Sequence, residues 1–268
     1  MSARKMACMF VVALQLVCRQ AAHGQSAPAS HGGMDMDRVI RTFVLANQLE
    51  IRGNVAERPV NFEVLSWIGG DYNRVFLRAQ GLQPTTTREG TDVQADVFLG
   101  RLISPYWSAV VGGRVDTRPR SVARSSRSAA TDASGSDRRQ VTRGMFALGF
   151  VGLAPGWFEL EPTLFVSQDG DVSTEIESSI DLLLTQRLII QPRLEVNAAV
   201  QSVPTFGIGA GINDVEFEAR LRYEIKRKFA PYVGVSWLRR TSGTAAMARA
   251  AGEPLGVGAV TAGVRLWR

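Results

Sequence analysis

The chain has 268 residues, a hydrophobic fraction of 45% and 31 basic against 25 acidic side chains, for a formal charge of +6. Its two cysteines, Cys8 and Cys18, both lie near the start, so the body of the chain carries no thiol. That excludes from the body a disulfide scaffold, a cysteine zinc site, an iron–sulfur centre and a cysteine nucleophile.

Residues 1–24 read as a cleavable export signal: Arg4 and Lys5 are followed by the largely apolar run Met6–Val17, and Ala22-His23-Gly24 supplies small residues for cleavage. Cleavage would remove three of the bases, Arg4, Lys5 and Arg19, and would leave His31 as the one histidine. Acid–base catalysis by histidine then has almost no candidate, and the chain is expected not to be an enzyme. Residues 25–37 form a leader in which His31, Met34 and Met36 stand close together among glycines. Imidazole and thioether donors suit copper in either oxidation state; the plain alternative is a free periplasmic tail.

Residues 38–268 alternate in polarity with period two, the mark of strands with two unlike faces. Twelve strands are predicted, at 38–52, 60–69, 73–81, 91–102, 107–117, 141–153, 157–167, 172–184, 188–200, 214–226, 232–240 and 257–267. The clearest is the tenth, where Val215, Phe217, Ala219, Leu221, Tyr223 and Ile225 face one way and only charged residues face the other. Short turns at 70–72, 103–106, 154–156, 185–187 and 227–231 interleave with longer links at 53–59, 82–90, 118–140, 201–213 and 241–256; only Gln168–Asp171 is short where a long link is expected. No apolar run is long enough for a membrane helix. Alternating strands with one short-turn end and one long-loop end instead predict an all-β fold, an outer-membrane antiparallel β-barrel of about twelve strands.

Trp67, Trp107, Trp157 and Trp267 fall at strand ends on the short-turn side, joined by Tyr72, Tyr106, Phe229 and Tyr232, as in an interfacial aromatic girdle. A soluble β-sandwich is the competing fold, since it also alternates, but it predicts neither the one-sided aromatics nor the alternating loop lengths.

In a barrel the polar faces line a lumen. Strand phase assigns to it Asp92, Asp96, Glu159, Glu161, Glu175, Glu177, Asp181, Glu195, Glu216 and Glu218, with Arg114, Asp116, Arg193, Arg220, Arg222 and Glu224. Carboxylates outnumber bases there, which favours a cation; pairing of acids with arginines across a narrow lumen is the structural alternative. Of the methionines, Met145 falls in a strand and reads as packing, whereas Met247 falls in an outer loop where it could meet an ion. The arginine-rich link 118–140 could touch lipopolysaccharide phosphates or simply stay solvated. Gly207-Ile208-Gly209-Ala210-Gly211 reads as turn chemistry, and nothing indicates nucleic-acid binding.

Several stretches resemble the copper resistance protein B family. They are Trp67-Ile68-Gly69-Gly70-Asp71-Tyr72-Asn73-Arg74, Ser104-Pro105-Tyr106-Trp107 and Gly152 to Glu159, then Asp181 to Arg193, Arg222-Tyr223-Glu224-Ile225 and Phe229 to Trp237. The likeness runs in order over residues 40–267. It implies an outer-membrane barrel that binds copper ions, contributes to copper resistance and homeostasis, and works beside a periplasmic multicopper oxidase. Family members often carry a Met/His-rich leader, which here is reduced to His31, Met34 and Met36. A general cation or small-solute porin and a structural barrel with a plugged lumen remain the other readings.

Overall fold

The computed structural model describes residues 40–53, 60–83, 92–119, 140–226 and 228–268. The signal segment, the leader with His31, Met34 and Met36, and the arginine-rich stretch 120–139 lie outside the described residues.

All strand pairings are antiparallel and, apart from the ring closure and one split arm, join chain neighbours. In chain order they are β1 (Arg41–Gly53), β2 (Val60–Gly69), β3 (Asn73–Gln83), β4 (Asp92–Ser104), β5 (Trp107–Pro119), β6 (Gln140–Ala154), β7 (Phe158–Ser167), β8 (Val172–Ser179), β9 (Leu182–Leu183), β10 (Leu188–Ala199), β11 (Gly211–Tyr223), β12 (Phe229–Arg240) and β13 (Gly256–Trp267). β1 also pairs with β13, from Leu45↔Trp267 to Gly53↔Val260, and this seam closes the sheet into a barrel. β8 and β9 are two pieces of one arm, so the barrel has twelve staves, as the alternation predicts.

The expected single strand at 172–184 is broken at Ile180 and Asp181. Ile180 donates its N–H to Pro192 O at 3.3 Å, but Pro192 has no N–H to return, and β7 reaches no farther along this arm than Ser179. The ladder resumes at Leu182↔Ile190.

The protein is inside out. Glu50 is 1% exposed and Gln48, Glu63, Asp96 and Asp116 each 2%, whereas Phe146 is 55% and Val260 53% exposed. Such an exterior would be costly in water and is favourable in hydrocarbon, while closure pairs β1 with β13. The sandwich is excluded, because its buried face would be the apolar one. Inside the barrel one patch of wall is apolar: Phe98, Val110, Met145, Ala147 and Phe165 pack together with Phe76 and Val151. Met145 is therefore packing, as read from sequence.

A bulge between Ala46 and Gln48 turns both Asn47 and Gln48 inward, since Asn47 Nδ2 donates to Glu63 at 2.8 Å and Asn61 Nδ2 donates to Gln48 at 2.7 Å. Before it Phe43 and Leu45 face the lumen; after it Glu50 and Arg52 do.

The link 241–256 holds a helix, α1 (Ser242–Ala251), where sequence reading gave only a loop. Its alanines, Met247 and Arg249 are good helix formers, and Gly252 caps it in the left-handed region at φ 73°. α1 lies against the 200–211 link through glycine: a Cβ on Gly209 would stand 2.2 Å from the Gly243 carbonyl carbon and the Thr244 nitrogen. Gly209 N–H donates to Thr244 Oγ1 at 2.9 Å, and Thr241 Oγ1 donates to Ile212 O at 2.6 Å.

The aromatic girdle is only partly as expected. Tyr72, Tyr106 and Trp157 are exposed at the short-turn end. Tyr232 is buried and points inward, donating its hydroxyl to Glu50 at 2.9 Å. Trp67 lines the lumen and stacks on Phe43 at 6.1 Å, and Trp267 sits opposite inward-facing Leu45. Position along a strand gave their height correctly; phase gives their face.

Candidate lumenal cation site

Two cavities lie within the lumen formed by the described residues. The loop-side cavity, about 760 Å³, is bounded by the long-link ends of the strands and by α1. The turn-side cavity, about 470 Å³, lies toward the short turns. Glu63, Arg114 and Arg193 border both.

Register makes the most unusual feature. Glu161 pairs with Glu177, Glu177 with Glu195, and Glu195 with Glu216, so four glutamates on β7, β8, β10 and β11 stand side by side on the inner face. Like charges directly opposite one another destabilise a sheet, so this row is a cost that packing does not explain. Glu195 and Glu216 face the loop-side cavity; Glu161 and Glu177 face the turn-side cavity.

Arginines from several strands answer the row. Arg78 on β3 pairs with Glu161 and lies 3.6 Å from Glu177. Arg193 on β10 lies 2.8 Å from Glu177, 3.3 Å from Glu195, and 3.6 Å from both Glu63 and Glu218. Arg52 on β1 reaches Glu216 and Glu218, each at 3.0 Å, and Glu50 at 3.2 Å. Arg220 pairs with Glu218.

Arg114 clamps a second pair of strands. Its Nε and Nη2 hold Asp96 at 2.7 and 2.9 Å, its Nη1 and Nη2 hold Glu175 at 2.5 and 3.2 Å, and its guanidinium lies 4.0 Å from the centre of the Phe165 ring. Asp96 is on β4 and Glu175 on β8, so the clamp ties β4 and β5 to a strand three positions farther round the barrel. Charge-assisted pairs this well formed are strong, and breaking one leaves a buried charge bare.

The remaining carboxylates of the sequence list are placed as follows. Asp92 borders the loop-side cavity with Arg118 at 3.6 Å. Glu159 is exposed at the turn-side end, where Ser179 donates to it at 3.3 Å. Asp181 accepts from Arg222 at 2.7 Å. Sequence reading left Glu50, Arg52, Glu63 and Arg78 out of the lumen, although all four carry part of the network.

Buried carboxylate oxygens without a hydrogen-bond partner among the described residues occur on both sides, at Glu177 Oε2 on the turn side and at two aspartates on the loop side. Asp92 Oδ1 and Asp116 Oδ1 have no hydrogen-bond partner among the described residues. Asp214 accepts from Asn197 at 2.9 Å. Met145 and Met247 line the same cavity, bringing two thioethers to a wall otherwise rich in oxygen. Among the described residues no three His, Cys, Asp or Glu side chains converge into a metal cage. The arrangement is one of carboxylates held by arginines, with single oxygens spare on both sides.

Comparison with known proteins agrees with the sequence resemblance. The family model described as "Copper resistance protein B precursor (CopB)" matches residues 40–268. A copper resistance protein B of Escherichia coli is 37% identical over 231 residues, covering 86% of this chain and 71% of that protein. A copper resistance protein B homolog of Pseudomonas syringae pv. tomato is 33% identical over 239 residues, covering 89% of this chain and 74% of that one. Among solved structures, the NanC porin covers 84% of this chain and 99% of its own at 10% identity, with a TM-score of 0.49. OmpT of Vibrio cholerae covers 85% and 97% at 6% identity, with a TM-score of 0.39. With two relatives above 30% identity and a family match over the whole described barrel, this chain belongs to the copper resistance protein B family.

Proposed function

We propose that this protein is an outer-membrane barrel that binds and passes copper ions through its lumen and so contributes to copper resistance and homeostasis. The apolar exterior suits lipid acyl chains, and the relatives are named for copper resistance. The observation that carries the reading is the row Glu161–Glu177–Glu195–Glu216, a repulsive alignment that a cation relieves. Cu(II) suits the carboxylates, and Cu(I) suits Met247 on the loop-side wall. His31, Met34 and Met36, which precede β1 in the sequence, add a weaker capture point. An unselective porin is disfavoured by the arginines that cross the lumen between the two cavities.

Copper titration of the refolded mature chain tests this against two variants. The pair Glu195→Gln/Glu216→Gln is expected to weaken Cu(II) binding about tenfold, or about 1.4 kcal/mol. Replacing residues 31–36 with serine is expected to cost less. Equal affinity and stoichiometry in all three proteins overturns the lumenal site.

A further inference from the structure

Four carboxylates surround one guanidinium at the boundary between the cavities. Arg193 Nε faces Glu177 at 2.8 Å, Nη2 faces Glu195 at 3.3 Å, and Nη1 faces both Glu63 and Glu218 at 3.6 Å. Arg193 is 9% exposed and borders both cavities. Its two nearest partners are consecutive members of the glutamate row, one facing each cavity. A cation moving along the row from Glu195 to Glu177 would meet the space that this guanidinium fills.

We propose that Arg193 is a tethered countercharge that shuts the barrel: it holds the position a travelling cation would take, and ions cross only when it is displaced. The row thus has an acceptor half, Glu216 and Glu195, and a donor half, Glu177 and Glu161, with the arginine between them. A cation entering the loop-side cavity competes with Arg193 for Glu195. A free monovalent ion, weakly bound by carboxylates, loses that competition; a divalent ion or one with strong ligand preference has the better chance. Arg193 is then the residue that decides which ions cross. Arg78, reaching Glu161 and Glu177, backs the shutter from the turn side.

The inference rests on the reading of the barrel as a membrane-spanning protein with a cation-binding lumen. Its test is conductance of the refolded full chain in planar bilayers bathed in potassium chloride. The wild type is expected to be silent, Arg193→Lys nearly so, and Arg193→Gln to show cation-selective steps at least about tenfold above the wild-type baseline. A wild type that already conducts as strongly as Arg193→Gln overturns the shutter. So does an Arg193→Gln barrel that is folded by heat-modified gel mobility yet silent. Where Arg193→Gln fails to refold because its glutamates are left bare, Glu63→Gln/Arg193→Gln relieves one of those charges and carries the same expectation. A silent wild type that also fails to bind copper would defeat the copper reading and leave the shutter standing, so the two failures are told apart.

Discussion

Two walls of the same lumen solve opposite problems. The patch formed by Phe98, Val110, Met145, Ala147 and Phe165 is an ordinary apolar core turned toward the barrel axis. The adjoining wall, from β7 through β11, aligns Glu161, Glu177, Glu195 and Glu216 and leaves their repulsion to be balanced from elsewhere. The first wall needs no countercharge; the second sets Arg52, Arg78 and Arg193 against its carboxylates. Where a protein keeps an arrangement that needs such help, the arrangement points to use rather than to packing.

Arg114 joins the two walls, lying on Phe165 while holding Glu175, and it offers the largest way to break the contrast. Arg114→Ala is expected to destabilise the barrel by about 3–5 kcal/mol, because Asp96 and Glu175 remain buried without a partner. Denaturant unfolding in detergent measures this, and adding Asp96→Asn and Glu175→Gln is expected to recover much of the loss. An Arg114→Ala barrel as stable as the wild type would mean the clamp is ornamental. A smaller effect sharpens the apolar side: Phe165→Leu is expected to cost about 1 kcal/mol, with copper affinity unchanged. A drop in affinity there would show that the walls do not act separately. Smallest is Met247→Leu, expected to leave stability within about 0.5 kcal/mol while weakening Cu(I) several-fold and Cu(II) hardly at all. Equal loss for both oxidation states would remove the thioether from the cavity's chemistry.

Much of this architecture was legible in the chain, and the parts that were not share a cause. Alternation in the segment around Val215–Ile225 announces one lipid-type face and one charged face without ambiguity, and the structure puts Glu216, Glu218, Arg220 and Arg222 inward. In β1 the bulge at Ala46–Gln48 shifts the phase midway, so Glu50 and Arg52 drop out of any simple period-two count. In β3 the inward set mixes Phe76 with Arg78 and Gln80, which hides Arg78. Phe98 shares a phase with Asp96, so a polar face continues into the apolar patch. A list of acids along separate strands also cannot show that four of them fall in line, because that depends on register between strands. Nor can it show which are already held by arginine: the acid excess was readable, but the pairing that leaves single oxygens of Asp92, Asp116 and Glu177 without a hydrogen bond among the described residues was not.

The seam between β1 and β13 joins stretches more than two hundred positions apart in sequence. Val44 and Arg268 exchange backbone bonds at 2.9 and 3.1 Å in that seam. Until the seam zips, the nascent sheet has two bare margins able to recruit foreign strands, and such distant pairing is slow to find. Closing the ring is therefore a single long-range event that removes both margins at once.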